Sequence, residues 1–396
     1  MRRVLKPLAS LKLTVVLFAL SMVLILAGTL AQVNEGVWDV VHQYFRSPFV
    51  WIPFQLFVPE KLVHFPIIEG RVPLGIPFPG GLTLGVLLFI NLLAAHAVRF
   101  KFTLKRSGII VAHLGVLLLL VGEFVTGVAA EEGNMAIDVG ASSNYVEDTR
   151  SAELAVIDPG PTDDLVVAVP GSILARAKEP ITHSLLPFSI TVDKWMPNSQ
   201  ILGPAQARSM KVPFTDAGAG TQLAAVPVAP ASGVDGQTVD VPSAYITLKK
   251  GDTKIGSYLV TVHLMDPQTV VVDGKPYEMA LRFKRTYKPY TLHLIQFKHD
   301  LFVGTDKPRN FSSLVHLTDP SHNVDRQVLI YMNHPLRYQG ETFYQSSFKP
   351  DDGGTVLQVV RNPGWLLPYI SCSLVTIGVL VHFGIRLTAS ARRVIA

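Results

Sequence analysis

Charge is scarce in this chain of 396 residues: only 16% are Asp, Glu, Lys or Arg, where soluble domains carry roughly 25%. With 48% hydrophobic residues and a mean hydropathy of +0.34, much of the chain must have a solvent other than water. Cysteine is scarcer still. The single Cys372 excludes an internal disulfide and a CxxC redox pair, and inside an apolar run it reads as a small packing residue. No phosphate-cradling glycine loop, HExxH or GxSxG motif occurs, so nothing points to a self-contained hydrolase or an ATP-driven pump. Internal repeats are absent as well.

The apolar residues concentrate in four blocks, 13–32, 82–98, 108–128 and 365–385, each close to the ~20 residues that a spanning helix needs. Three segments between or beyond them hold cations and no acid. Residues 1–12 carry Arg2, Arg3, Lys6 and Lys12; the loop 99–107 carries Arg99, Lys101, Lys105 and Arg106; the tail 386–396 carries Arg386, Arg392 and Arg393. The chain as a whole is +5, so everything outside these segments is net acidic. Basic loops stay in the cytoplasm. Both termini and the 99–107 loop are therefore expected inside, and the loop 33–81 and the stretch 129–364 outside. The pI near 9.1 is on this reading a topology signal, and no nucleic acid is expected as a partner. Thr29-Leu30-Ala31 offers a possible cleavage point after the first block; cleavage there would leave the remaining orientation unchanged.

In the loop 33–81, Val37, Val40, Val41, Tyr44 and Phe45 recur at helical spacing and predict a short amphipathic helix on the membrane surface. Pro48, Pro53 and Pro59 break up 49–58, which is read as interfacial and not spanning. The stretch 129–364 alternates β-type runs with Gly, Pro and Asp-Gly breakers. Tyr245–Lys249, Ser257–His263, Thr269–Val272, Ala280–Phe283, Thr291–Phe297, Val328–Met332 and Val356–Val360 are its clearest strands. Val272-Asp273-Gly274-Lys275 reads as a hairpin turn. Residues 203–242 look like a loop or variable insertion. The expected fold class is thus four transmembrane α-helices plus a large extracytoplasmic all-β, sandwich-like domain.

What remains unusual is histidine inside the membrane. His96 lies near the cytoplasmic end of the second block and His113 five residues into the third. At about 1.5 Å rise per residue both sit in the inner leaflet, His113 the deeper. Intramembrane ionisable residues are functional candidates, and a neutral imidazole is a good axial ligand for haem iron. Against this, His96 also reads as an interfacial residue near the headgroups, and His113 as hydrogen-bonded to a neighbouring helix. Glu123 and His382 are placed near the outer and inner boundaries. In the outer stretch, His293 and His299 share a strand face but stand roughly 20 Å apart, too far for one metal. His316, His322 and His334 show no tight ligand spacing, so all five read as solvated or structural.

These residues resemble the ResB (CcsB-type) family of cytochrome c biogenesis membrane proteins. The likeness begins in Leu8-Ala-Ser-Leu-Lys-Leu and in the unit Asn91-Leu-Leu-Ala-Ala-His96, Arg99-Phe100 and Ala112-His113-Leu-Gly115. It is most specific in Leu281-Arg-Phe-Lys-Arg-Thr-Tyr-Lys-Pro-Tyr290, Phe297-Lys-His299-Asp300, Gly304-Thr305, Phe311-Ser-Ser313, Met332-Asn-His-Pro-Leu-Arg-Tyr338-Gln-Gly340 and Phe343-Tyr-Gln-Ser-Ser-Phe348. Residues 150–245 match no familiar pattern. The resemblance implies a bacterial cytoplasmic-membrane protein that handles haem b with a CcsA (ResC)-type partner bearing a tryptophan-rich motif. That motif is missing here, where Trp38, Trp51, Trp195 and Trp365 are scattered. It further implies haem delivery to apocytochrome c kept reduced by a thioredoxin-like partner, in contact with membrane lipid. His113 matches the family's inner-side haem-binding histidine, with His96 second. The chain alone is not expected to be an enzyme; it would be a subunit of a cytochrome c synthase complex. Two other classes stand beside this one: an anchored outer binding or sensor protein, and a scaffold without a cofactor.

Overall fold

The computed structural model describes residues 2–33, 35–57, 74–99, 103–161, 163–229, 231, 239–264, 266–301, 304 and 308–395. Residues 58–73 of the loop 33–81, Phe100 and Lys101 of the basic loop, and Thr305 of the family-like motif lie outside them. The chain divides into two compact units, one built from 1–131 and 362–396 and the other from 132–231 and 235–361.

In the first unit, α1 (Arg2–Leu8) breaks at Ala9-Ser10 and α2 (Leu11–Ala31) follows. A short helical segment comes next, α3 (Val37–Val40), which runs into a π-helical turn, Val41–Phe45. A helical segment thus stands where the spacing predicts one. Its Val40 and Tyr44 are buried against Ala27 and Ala31 of α2. Strands β1 (Phe49–Pro53) and β2 (Gly75–Pro79) pair antiparallel, with Val50 and Ile52 turned into the same core and Phe49 and Trp51 exposed. The Pro-broken stretch is thus a strand and a 3-10 turn, Phe54–Leu56. Helices α4 (Gly81–Val98) and α5 (Ser107–Ala129) complete this part. Apolar runs of this length become helices because a bilayer leaves backbone groups no other partner.

The second unit is all antiparallel sheet. Its strands are β3 (Glu131–Asp138), β4 (Ser142–Asp158), β5 (Leu165–Pro170), β6 (Ser189–Met196), β7 (Ser199–Leu202), β8 (Ala224–Pro227), β9 (Ser243–Lys250), β10 (Thr253–Thr261), β11 (Gln268–Val272), β12 (Lys275–Leu301), β13 (Pro308–Asp319), β14 (Val324–Tyr331), β15 (Leu336–Tyr338), β16 (Glu341–Phe348) and β17 (Gly354–Arg361), with short helices α6 (Gly171–Leu174) and α7 (Pro204–Ser209) between them. A ten-stranded sheet runs β14-β13-β12-β4-β3-β17-β16-β15, with β11 on β12 and β5 on β4. The three-stranded sheet β10-β9-β6 packs Ile190, Ile246, Leu248 and Val260 onto Leu154, Val169, Met279 and Leu281. That is the expected sandwich. Beyond it the large sheet curls around a second core of Leu292, Leu294, Val315, Leu317, Ile330, Phe343 and Leu357.

Two strand expectations merge into one. Ala280–Phe283 and Thr291–Phe297 belong to the single 27-residue β12. Lys284, Arg285 and Lys288 fall between the two expected runs. In the sheet, Arg282 pairs with Glu153 (3.1 Å) and Arg285 with Glu147 (2.9 Å), both on β4, so the strand continues. The 203–242 stretch contains α7 and β8 in addition to loop, with residues 230 and 232–238 outside the described ones. The Val272–Lys275 hairpin is present, with Asp273 and Gly274 both at positive φ, the type I′ pattern.

The last helix, α8 (Leu367–Ile395), returns to the first unit. Four helices among the described residues are long and apolar enough to cross a membrane: Leu11–Ala31, Gly81–Val98, Leu104–Ala129 and Leu367–Ser390. Helix α8 packs along α5 on a seam of small residues. A Cβ on Gly108 would stand 2.4 Å from the His382 nitrogen, one on Gly378 2.4 Å from the Ala112 nitrogen, and one on Gly115 2.7 Å from the Ser371 carbonyl. Small residues that let two backbones approach are how helices associate without a hydrophobic driving force.

Candidate functional site

The site begins with how α4 is held. Asn91 is buried in the first unit, and its amide donates to the carbonyls of Leu8 (2.6 Å) and Ser10 (3.2 Å), at the break between α1 and α2. Its carbonyl accepts from Thr14 (2.7 Å). A polar side chain in hydrocarbon is stable only when so satisfied. Asn91 therefore locks the C-terminal half of α4 to the α1–α2 break, five residues before His96.

Helix α5 is held from the other side by α8. Gly115, two residues beyond His113, is filled by Ser371 and Val375 of α8. The close approach that this glycine permits is thus to a helix. Between these anchors, the two sequence candidates come together: the rings of His96 and His113 meet edge to face, centroids 5.1 Å apart at 78°. His96 Nδ1 lies 2.8 Å from the Leu92 carbonyl. A carbonyl only accepts, so Nδ1 carries the proton and Nε2 is the lone-pair nitrogen. That is the tautomer a metal-binding imidazole needs.

Toward their other ends, α4 and α5 leave a cleft of about 490 Å³, lined mainly by Leu82, Val86, Phe89, Leu120 and Phe124, with Arg46 and Glu123 as its charged residues. Glu123, expected at an interface, lines this apolar space. His382 stands on α8 opposite Gly108.

In the β unit, some of the residues that carry the family resemblance fall in two clusters. Lys288 and Glu341 form a buried pair (2.5 Å), and the Tyr290 hydroxyl donates to the same carboxylate. Burial, together with that carboxylate, pushes the Tyr290 phenol above its ordinary range. The Tyr290 ring meets Tyr338 edge-on at 5.1 Å, and the Tyr338 hydroxyl donates to Asp319 (2.6 Å). Asp319 is fully buried and also takes hydrogen bonds from Ser321 and His322. Those from Ser321 and Tyr338 hold its carboxyl well below the usual carboxylate range.

The second cluster joins Phe297, His299, Phe311 and Phe348, with Asp352 at the His299 ring. Of the five histidines read as solvated or structural, His299, His316 and His322 each face an aspartate, Asp352, Asp325 and Asp319. Only the last pairing is close enough in sequence to have been legible. Among the described residues, no group of three or more His, Cys, Asp or Glu is arranged to hold a metal ion.

Residues 255–356 match the ResB-like family, which bears out the likeness read from the motifs between 281 and 348. Both β-unit clusters fall within the match; His96 and His113 lie outside it. The chain is also 26% identical over 301 residues to Protein NrfI of Wolinella succinogenes, an alignment covering 75% of this chain and 29% of that protein. It thus spans less than a third of the length of the curated relative it matches.

Proposed function

With residues 255–356 matching the ResB-like family, we propose that this chain is a membrane subunit of a cytochrome c biogenesis complex. It sits in a bacterial cytoplasmic membrane with its termini and the 99–107 loop inside and its β unit outside, an orientation supported by the placement of Lys and Arg. Reporter fusions at residue 250 should read as outside and at residue 103 as inside; the reverse would invert the scheme.

The cargo is haem b, taken up near the inner side and passed outward to apocytochrome c. The observation that carries this is the His96–His113 pair within two apolar helices. The donor set fits haem iron as one ligand and one neighbour. An iron held between two imidazoles needs ring centres about 6 Å apart, two bonds of about 2 Å plus the ring radii. These rings are closer than that and set edge to face. His113 is the ligand and His96 the ring packed against it, with the Leu92 carbonyl fixing the His96 tautomer. The chain supplies binding and position only. A CcsA (ResC)-type membrane protein brings the tryptophan-rich motif, a thioredoxin-like protein keeps the apocytochrome cysteines reduced, and attachment belongs to the complex.

The test is the haem spectrum of the purified chain, alone and coexpressed with the CcsA-type protein. His113→Gly should lose most copurified haem and cytochrome c yield at unchanged protein level, and added imidazole should restore part of both. His96→Gly should lose less. Full haem in His113→Gly with loss in His96→Gly would exchange the two roles. Colourless protein in every preparation would leave a binding protein or scaffold without a cofactor.

A further inference from the structure

The stretch that the sequence reads as a loop or variable insertion builds a cover on one face of the β unit. In the sheet β10-β9-β6, Val260 and Ile246 point into the sandwich core, so Leu259 and Tyr245, one residue away on the same strands, point to the opposite face. Residues 199–229 fold over that face. Strands β7 and β8 pair with each other, Ala207 of α7 packs on Leu202 and Ala224, and Ala225 packs on Met196 and Leu259. The cover is incomplete, and a pocket of about 450 Å³ remains between it and the sheet. The whole cover lies outside residues 255–356, the stretch that matches the family.

Two local features bring charge to this pocket. Asp193 and Lys194 are consecutive on β6 and would face opposite sides of a regular strand, yet both line it. The register of β6 on β9 shifts between Val192 and Lys194, and a bulge re-aims side chains in this way. Asp193 is held there by the Thr247 hydroxyl at 2.6 Å. On the cover, Lys211 lines the pocket from a left-handed backbone, φ 56°, a conformation uncommon outside glycine and kept where the surrounding structure imposes it. The hydroxyl protons of the lining are already committed. Thr215 donates to the Ala217 carbonyl (3.0 Å), Tyr245 to that of Ala225 (3.3 Å) and Ser257 to Asp216 (2.8 Å). Among the described residues, the side chains of Lys194 and Lys211 form no hydrogen bond or ion pair, whereas Lys250, Lys254, Lys275, Lys288 and Lys349 each meet a carboxylate.

With Asp193 set against the two lysines, the pocket keeps one net positive charge, and the rest of its wall is apolar, Phe214 and Val226 included. A ligand here must therefore bring a negative charge and an apolar body. No histidine, cysteine or methionine stands among the described residues of the lining, so an iron porphyrin would find no axial ligand. A volume of this size suits a small molecule. We propose that the pocket binds a small amphiphilic carboxylate, its apolar body against Phe214 and Val226 and its carboxylate at Lys194 and Lys211. This site is independent of the haem cargo.

The test titrates the full-length chain in lipid nanodiscs with naphthoate, followed by calorimetry, with empty nanodiscs as the blank. The parent should bind saturably. Naphthylmethanol keeps the rings without the charge, and acetate keeps the charge without the rings; each should bind at least about tenfold more weakly. Lys194→Met and Lys211→Met should each weaken naphthoate binding about threefold or more, and the double variant at least about tenfold. Lys178→Met, at an exposed lysine outside the pocket, should bind as the parent does. All three lysines are exposed, so the unfolding midpoint of each variant should match that of the parent, and any loss of binding reports on the pocket. A parent that does not bind saturably, a double variant that binds as the parent does, or naphthylmethanol or acetate binding as tightly as naphthoate overturns the assignment.

Discussion

The seam between α5 and α8 makes a quantitative prediction, since the same substitution should have opposite effects at two glycines. A Cβ on Gly378 would sit 2.4 Å from the Ala112 nitrogen and 2.8 Å from its Cα, where ordinary contact begins at 3.4 Å. Both are backbone atoms and no rotamer relieves them, so Gly378→Ala must push the helices apart by about 1 Å. A radial gap of 0.5–1 Å forfeits about a quarter to a half of each dispersion contact, and overpacking of this kind costs ~1–3 kcal/mol. On α4, by contrast, a Cβ on Gly85 meets nothing within 4 Å, and alanine is better than glycine in a helix by up to about 1 kcal/mol. Gly378→Ala should therefore be less stable than Gly85→Ala by about 2–4 kcal/mol, read as the midpoint of thermal unfolding of the full chain in detergent. Ala112 adjoins His113, so the widened seam should also draw that ring away from His96 and reduce copurified haem. Midpoints within about one degree of each other would refute the packing argument, because one substitution is sterically blocked and the other is not.

The β unit supports two further predictions. Glu341→Gln leaves Lys288 buried without its counter-charge and should cost about 3–5 kcal/mol in chemical denaturation; Lys288→Met added to it should recover most of that, and a Glu341→Gln variant as stable as the parent would remove the pair from the account. The Asp319 carboxyl lies below its unfolded value of about 4, so it stabilises the fold fully above that pH, and its contribution fades as pH falls through the folded value. Stability measured between about pH 5 and pH 2 should fall less steeply in Asp319→Asn than in the parent, and identical acid limbs would contradict the hydrogen-bonded geometry.

Much of the architecture follows from the order of residues alone. Twenty apolar residues in a row leave a backbone in hydrocarbon with one way to satisfy itself, so the four long helices were legible before any contact was known. The Asp273-Gly274 turn was equally local, because the positive φ it needs is a property of those two residues. Strand alternation found β9, β11 and β17, where each side chain's partner is simply the buried face. Local pattern stopped at residues whose character depends on what stands opposite. Arg285 falls between two expected strands, and its pairing with Glu147 on β4 depends on the sheet. Lys288, Tyr290, Asp319, Tyr338 and Glu341 are polar residues scattered over four strands, and only the curl of the sheet makes them one buried network. His96 and His113 were each visible as an oddity in hydrocarbon. That their rings touch depends on Asn91 pinning α4 and on glycines pinning α5 against α8. Solvent preference and backbone periodicity are carried residue by residue, whereas register and helix crossing arise from packing between distant segments, and it is at those crossings that the candidate sites are assembled.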